Sequence, residues 1–184
     1  MLNQLTNLAQ QFGVESVIKN NVVPNDKNEA VIDEASHSII RGLQKIVTEG
    51  GTEQLACLFE GKNADNKSNL VVQKLTSELT DNLTQKFGLS ASDATGIASK
   101  LIPQIISALI GKAKDPNDSS IQVSDIIDSI SNGNSAGIMD AISKYGGQFG
   151  LDQNGDGKVD MNDAMDVVSK KGGLGGILGG IFKK

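Results

Sequence analysis

Tryptophan is absent from this chain, tyrosine occurs once and phenylalanine five times. So few rings leave little with which to stack unpaired bases. A formal charge of −5 offers no basic face to a phosphate backbone either, so no nucleic-acid partner is expected. Cysteine is equally scarce. Cys57 stands alone, so no internal disulfide can form and nothing in the covalent framework demands an oxidising compartment. It sits in the apolar run Leu55 to Phe59, which favours a buried, inert thiol. The single histidine, His37, rules out a His/Cys zinc cluster. It falls two positions from the core-facing Ile39, which points it to solvent, with no nucleophile beside it to serve as a base.

Other absences narrow the class further. The N-terminal MLNQLTNLAQQFG has no basic start, no long apolar stretch and no small-residue cleavage site, so a cleaved secretory signal is not expected. No apolar run approaches the roughly 20 residues of a spanning helix, so the expectation is a cytoplasmic protein with no transmembrane segment. Export without a cleaved signal would leave no such mark. Gly61-Lys62 and Gly111-Lys112 lack the upstream glycine and following hydroxyl of a phosphate loop. Asp33, Glu34, Asp125 and Asp128 lie on polar helix faces and are read as solubilising. No catalytic constellation emerges, and the chain is not expected to be an enzyme.

What is present is helical periodicity, without alternating strand patterns. The expected class is all-α, a compact helical bundle followed by a calcium loop and a glycine-rich tail. Val31 or Ile32, Ala35, Ile39, Leu43 and Ile46 share one helix face, with Asn25 and Asp26 as candidate caps and Gly50-Gly51 as the stop. Val71, Leu75, Leu79 and Leu83 mark a second helix, opened by Ser68 and ended by Gly88. A third starts at Ser90, with Asp93 reaching back, and carries Ile97, Leu101, Ile105 and Leu109. Pro103 lies inside it and predicts a kink or two abutting helices. Shorter helices are expected near Ser124 to Ile130 and Ser135 to Tyr145. Glu60 to Lys67 reads as a linker. Phe12-Gly13 and Phe87-Gly88, each followed by an Ala-Ser and an Ile-Ile pair, leave an internal duplication open.

These patterns divide the chain into an N-terminal helical region, 1–62, and a second, 68–150, packed together as one domain. A loop with its exit helix follows at 151–171, and a tail at 172–184. From Leu70 to about Gly150, the stretch NLTQKFGLSASDATGIASKLIPQIISALIGKA resembles the YidB-like family of small bacterial helical proteins. The likeness lies in a helix ending Phe-Gly-Leu-Ser, a long Ala/Leu/Ile helix with an internal proline, and a glycine-rich, Leu/Ile-studded C-terminus. It implies a compact helical bundle of a bacterial protein. It implies no activity and no catalytic residues.

One motif carries chemistry. Residues 152–163, DQNGDGKVDMND, place four carboxylates around two central glycines, and like charges so close repel unless a cation sits among them. The segment is similar to a calcium loop of the EF-hand type, and closer to its dockerin-like form. A hard cation of calcium's size takes six to eight oxygens, supplied from positions 1, 3, 5, 7, 9 and 12 of such a loop. Here these are Asp152, Asn154, Asp156, the Lys158 backbone carbonyl, Asp160 and Asp163. Gly157 holds the sharp turn at position 6 and Val159 the inward apolar position. The competing reading is an Asx-rich connector with no ligand. Asp163 stands where sensor loops prefer glutamate, so magnesium can compete with calcium. Gly146-Gly147 and Gly150 interrupt the entering helix, and no second loop is present to pair with this one. On the exit side, Asp163 and Asp166 lie in the first turn of Met161 to Lys170, and Lys170-Lys171 close it, both as the helix dipole favours.

The tail, KKGGLGGILGGIFKK, sets Leu174, Ile177, Leu178, Ile181 and Phe182 among glycine pairs. As a helix its glycine-rich part would be roughly 20 Å long, short of the ~30 Å hydrocarbon core. Gly172, Gly176 and Gly180, four apart, permit close backbone approach to a partner. A tail without fixed structure, packing on the chain's own bundle, self-association as a homo-oligomer and membrane-surface contact are the readings it allows. Two functions follow. The first is a non-enzymatic calcium-binding helical protein, whose single ion orders the C-terminal region. The second is a structural or self-assembling protein that makes its contacts through the tail, with the metal loop only stabilising.

Overall fold

The structure, a computed structural model, describes residues 1–59, 67–115, 118 and 120–131. Among them six α-helices pack together: α1 (Leu2–Gly13), α2 (Asn28–Thr48), α3 (Thr52–Phe59), α4 (Leu70–Phe87), α5 (Ala91–Lys114) and α6 (Val123–Ile130). A π-helical turn, Val14–Ile18, continues α1, and a 3-10 turn, Asn25–Lys27, leads into α2. No strand occurs among the described residues. Helices α1 and α4 each pack against both α2 and α5, so the four close into a ring. Helix α3 adds to α2 and α4, and α6 to α2.

Local chemistry sets the ends of these helices. The Ser90 hydroxyl accepts from the Asp93 amide (3.1 Å) and donates to the Asp93 carboxylate (2.6 Å), closing the first turn of α5. Helix α4 is capped by Asn69, whose side-chain oxygen accepts from the Val71 amide (2.9 Å) and the Val72 amide (3.4 Å). The cap is therefore one residue beyond the expected Ser68, because the amide oxygen of Asn69 reaches both free N–H groups. Gly88 ends α4 at φ 69°, a left-handed turn open to glycine at no steric cost. Gly13 has φ −70° and passes straight into the π-helical turn. The two Phe-Gly pairs thus play different backbone roles. At α6 the cap is Gln122, two residues before the expected start at Ser124, and the Gln122 amide donates to the Asp125 carboxylate (3.1 Å). Asp125 is thereby a capping group as well as a surface charge.

The core follows the periodicity. Val31, Ile32, Ala35, Ile39, Leu43 and Ile46 of α2 and Val71, Leu75, Leu79 and Leu83 of α4 are all buried. Helix α5 is covered over a wider arc: Ile97, Leu101 and Ile105 form one sealed stripe and Ala98, Ile102 and Ile106 another, with Leu109 and Ile110 beyond. It runs unbroken through Pro103, so two abutting helices do not form. Helix α5 also amends the expectation about membrane spans, since by length and composition it is long and apolar enough to cross one. Polar residues scattered along it hide that in a search for an unbroken apolar run. In this fold much of its apolar surface is taken up by its neighbours.

Two side chains depart from their expected settings. Cys57 is exposed, not buried. On α3 the inward positions go to Leu55, Ala56, Leu58 and Phe59, which leaves Cys57 on the outer face. Glu34 is more than a solubilising charge. Its side chain is 11% exposed and accepts from Lys86 Nζ of α4 (2.8 Å), from Arg41 and from Ser38 Oγ (3.2 Å). Asn82 of α4 donates to the same Ser38 hydroxyl (2.9 Å), and Ser38 is fully buried. Burial alone would raise the Glu34 pKa, but the hydrogen bonds from Lys86 and Arg41, and their charges, outweigh it and hold the carboxyl below its usual range.

This polar clamp sits one turn and more from a tight contact between α2 and α4. A Cβ on Gly42 would overlap Leu75 Cδ2, and Leu75 is itself fully buried. Gly42→Ala is expected to lower stability, because overpacking of about 1–3 kcal/mol outweighs the ~1 kcal/mol gained in helix propensity. Leu75→Ala alone costs about 2–5 kcal/mol. In the Leu75→Ala background the sign of Gly42→Ala reverses, and it becomes stabilising. Denaturant titrations of the four proteins check this, and additive effects would contradict it.

The clamp gives a second expectation. Because the folded pKa of Glu34 is depressed, its contribution is present at neutral pH and is lost as pH falls through the ordinary carboxylate range toward that lower value. Arg41 and Lys86 are about half exposed, so solvent screening keeps the contribution near about 1 kcal/mol. Glu34→Gln is expected to be less stable than the parent at pH 7 and to lose that deficit progressively as pH falls below the ordinary carboxylate range. A deficit that stays constant across the pH range would contradict the assignment.

Candidate functional site

The expected metal ligands Asp152, Asn154, Asp156, Lys158, Asp160 and Asp163 lie outside the described residues, as do the expected helices at 135–145 and 161–170, the linker residues 60–66 and the tail. Among the described residues, no group of three or more histidine, cysteine, aspartate or glutamate side chains could hold a metal ion. What the described part offers is a groove, built where two helices depart from regular geometry.

The first departure ends α1. Its buried positions Leu5, Ala9 and Gly13 recur every four residues. At 3.6 residues per turn such a row drifts about 40° around the helix at each step. The wider π-helical turn that follows, marked by the Lys19 amide donating to the Val14 carbonyl (2.9 Å), takes up that drift and leaves Val17 fully buried in the same row. Ser16 is buried beside it, and its carbonyl accepts from the Asn20 side chain (3.1 Å). Gly13 permits the closeness, since a Cβ there would stand 3.0 Å from Ile32.

The second departure is Pro103 in α5. Proline has no N–H, so the carbonyl of Ser99, four residues back, loses the amide a regular helix would give it. Pro103 and Ser99 face the π-helical turn across an open groove of about 720 Å³. Ser16 and Glu15 come from the turn, and Lys100, Gln104 and Ser107 from α5. Lys67, just before α4, also lines it. Lys67 and Ser99 also line a second groove of about 360 Å³, floored by Thr76, Thr80 and Thr95. The hydroxyls of Thr76 and Thr80 donate back to the carbonyls of Val72 (2.7 Å) and Thr76 (2.8 Å), so toward the groove they offer only acceptor lone pairs and methyl groups.

Charge in the first groove is simple. Glu15 is paired with Lys19. Lys67 and Lys100 are exposed and make no ion pair with any described residue. In a chain of net charge −5, that leaves a locally positive trough. Neither the single histidine nor the single cysteine lines it. At the far end of α5, Lys112 and the hydroxyl and amide of Ser120 hydrogen-bond the Asp118 carboxylate and hold it well below the usual carboxylate range. Gln4 of α1 donates to the Ser120 carbonyl (3.3 Å), fixing α1 against that end.

Sequence reasoning marked Pro103 as a break in α5 and Lys67 as the end of a linker, and missed that both line one groove. The four-residue spacing Leu5, Ala9, Gly13, Val17 does not by itself mark the π-helical turn, since α4 and α5 carry the same spacing as regular helices.

No curated protein and no solved structure matches the chain. A family model does match, over residues 69–162, which takes in α4, α5 and α6 and contains the stretch 70–150 read above as YidB-like. The match spans just over half of the 184 residues, and the chain belongs to this family, DUF937, bacterial proteins of unknown function.

Proposed function

We propose that the chain is a non-enzymatic calcium-binding helical protein. Its single ion is held by Asp152, Asn154, Asp156, the Lys158 carbonyl, Asp160 and Asp163. The supporting observation is the spacing of these oxygen-bearing residues about Gly157, which matches the ligand positions a calcium loop requires. Asp163 has a shorter reach than glutamate, which lowers affinity and brings magnesium into competition. Neutralising the four carboxylates fixes the turn at Gly157, sets Asp163 at the start of the exit helix and orders the C-terminal region. In a cytoplasmic setting, where free calcium is scarce, only a tight site would fill.

A second reading rests on the tail. Gly172, Gly176 and Gly180 together with Leu174, Ile177, Ile181 and Phe182 suit close packing against another copy or a membrane surface. The chain is then a structural or self-assembling protein, and the loop only stabilises it.

Calorimetric titration with calcium and magnesium is expected to give one calcium per chain, and none for Asp152→Ala or Asp156→Ala. At a free ion level one hundred times the dissociation constant, binding to the folded form adds about 2.7 kcal/mol of stability. A thermal midpoint indifferent to calcium in both parent and Asp152→Ala would mean that the loop is an unliganded connector. Light scattering on the same samples separates the two readings, since size that changes with the ion couples metal and assembly, and assembly indifferent to the ion favours the tail alone.

Hydrogen exchange tests the ordering. Chelation is expected to raise exchange across residues 148–184 and leave Leu70–Phe87 protected. Equal exchange with and without chelator would uncouple the ion from the tail.

A further inference from the structure

The groove between the π-helical turn and α5 has a composition that the calcium reading does not use. We propose that it is a binding site for a small phosphorylated, hydroxyl-bearing metabolite, of the size and chemistry of a glycerol or sugar phosphate. Three observations carry the proposal. Lys67 and Lys100 are the groove's unpaired cations in an acidic chain, and nothing described neutralises them. Two flexible ammonium groups beside the hydroxyl of Ser107 and the amide of Gln104 supply donors suited to a phosphate's oxygens. Ser99, whose carbonyl is released by Pro103, lines the same groove, and a released acceptor there calls for a ligand that also donates. A bare anion meets the first requirement and fails the second; a phosphate on a polyol meets both.

The backbone geometry points to the same place. A proline inside a helix costs about 3 kcal/mol relative to alanine, and π-helical turns concentrate at functional sites. Here both departures face one cavity. Its volume of about 720 Å³ lies in the range of small-molecule sites. Among the described residues Phe12 is the one ring on its wall, which leaves no described aromatic pair to sandwich a nucleobase and favours a sugar or glycerol phosphate over a nucleotide.

The test is a titration of the full-length protein with glycerol 3-phosphate, read by amide chemical shifts, beside glycerol and inorganic phosphate as controls. Saturable shifts at Ser16, Ser99 and Ser107 are expected, with a Kd of about 1 mM or tighter. Lys67→Ala and Lys100→Ala, both at exposed positions, are each expected to weaken binding about tenfold, and added salt to weaken it in the parent. Lys27→Ala, outside the groove, leaves binding unchanged. Inorganic phosphate binds more weakly than glycerol 3-phosphate, and Pro103→Ala, which returns an amide to the Ser99 carbonyl, removes that preference. Absence of saturable shifts, or equal binding by the Lys67→Ala/Lys100→Ala double variant, would overturn the site. Equal affinity for inorganic phosphate and glycerol 3-phosphate would overturn the role given to the Ser99 carbonyl.

Discussion

The burial of α5 is the constraint on which the rest of the fold depends. Its two sealed stripes run from Ala94 to Ile110 and have to be covered from more than one side. Helices α1 and α4 do this directly, and α2 closes the ring behind them. A fully buried leucine or isoleucine contributes about 1.5–3 kcal/mol. Two such residues next to Pro103 therefore offset the roughly 3 kcal/mol that a proline costs inside a helix, and α5 has several on either side. The proline persists without breaking the helix because packing outweighs the single lost hydrogen bond.

Other features follow from that packing. Helix α1 keeps one row, Leu5, Ala9, Gly13 and Val17, against its neighbours for about three turns, while residues at every fourth position drift around a regular helix. The π-helical turn at Val14–Ile18 reconciles the two by bringing Val17 back under the row. On the other side, α2 and α4 approach until Gly42 admits Leu75, while Glu34, Ser38 and Asn82 satisfy one another's polar groups along the same seam. Apolar contact sets the distance between α2 and α4. The hydrogen bonds select one register among those that distance allows.

Much of this was legible in the sequence, for physical reasons that also explain the omissions. Helices α2, α4 and α5 carry long apolar rows, and every residue named in those rows is buried. The ends set by Ser90 and Gly88 were visible because capping serines and left-handed glycines act through neighbours in sequence. Helices α1 and α3 are shorter, with fewer repeats to read. Cys57 was misjudged because an apolar neighbourhood in sequence does not say which way one side chain of a helix faces. Glu34 was misjudged because its partners Lys86 and Asn82 lie in another helix, and local pattern carries no record of them. The groove was illegible for the same reason, since Lys67, Ser16 and Ser99 meet only after folding.

Family membership joins α4 to α6 to bacterial proteins of unknown function, and the loop at 152–163 carries the proposed activity of this member. Native mass spectrometry of the full-length chain, metal-stripped and then exposed to calcium, addresses that activity most directly because it counts ions per molecule. The account predicts a single bound calcium in the parent and a metal-free spectrum for Asp152→Ala under the same conditions. A parent that stays metal-free, or an Asp152→Ala variant that retains the ion, would contradict it.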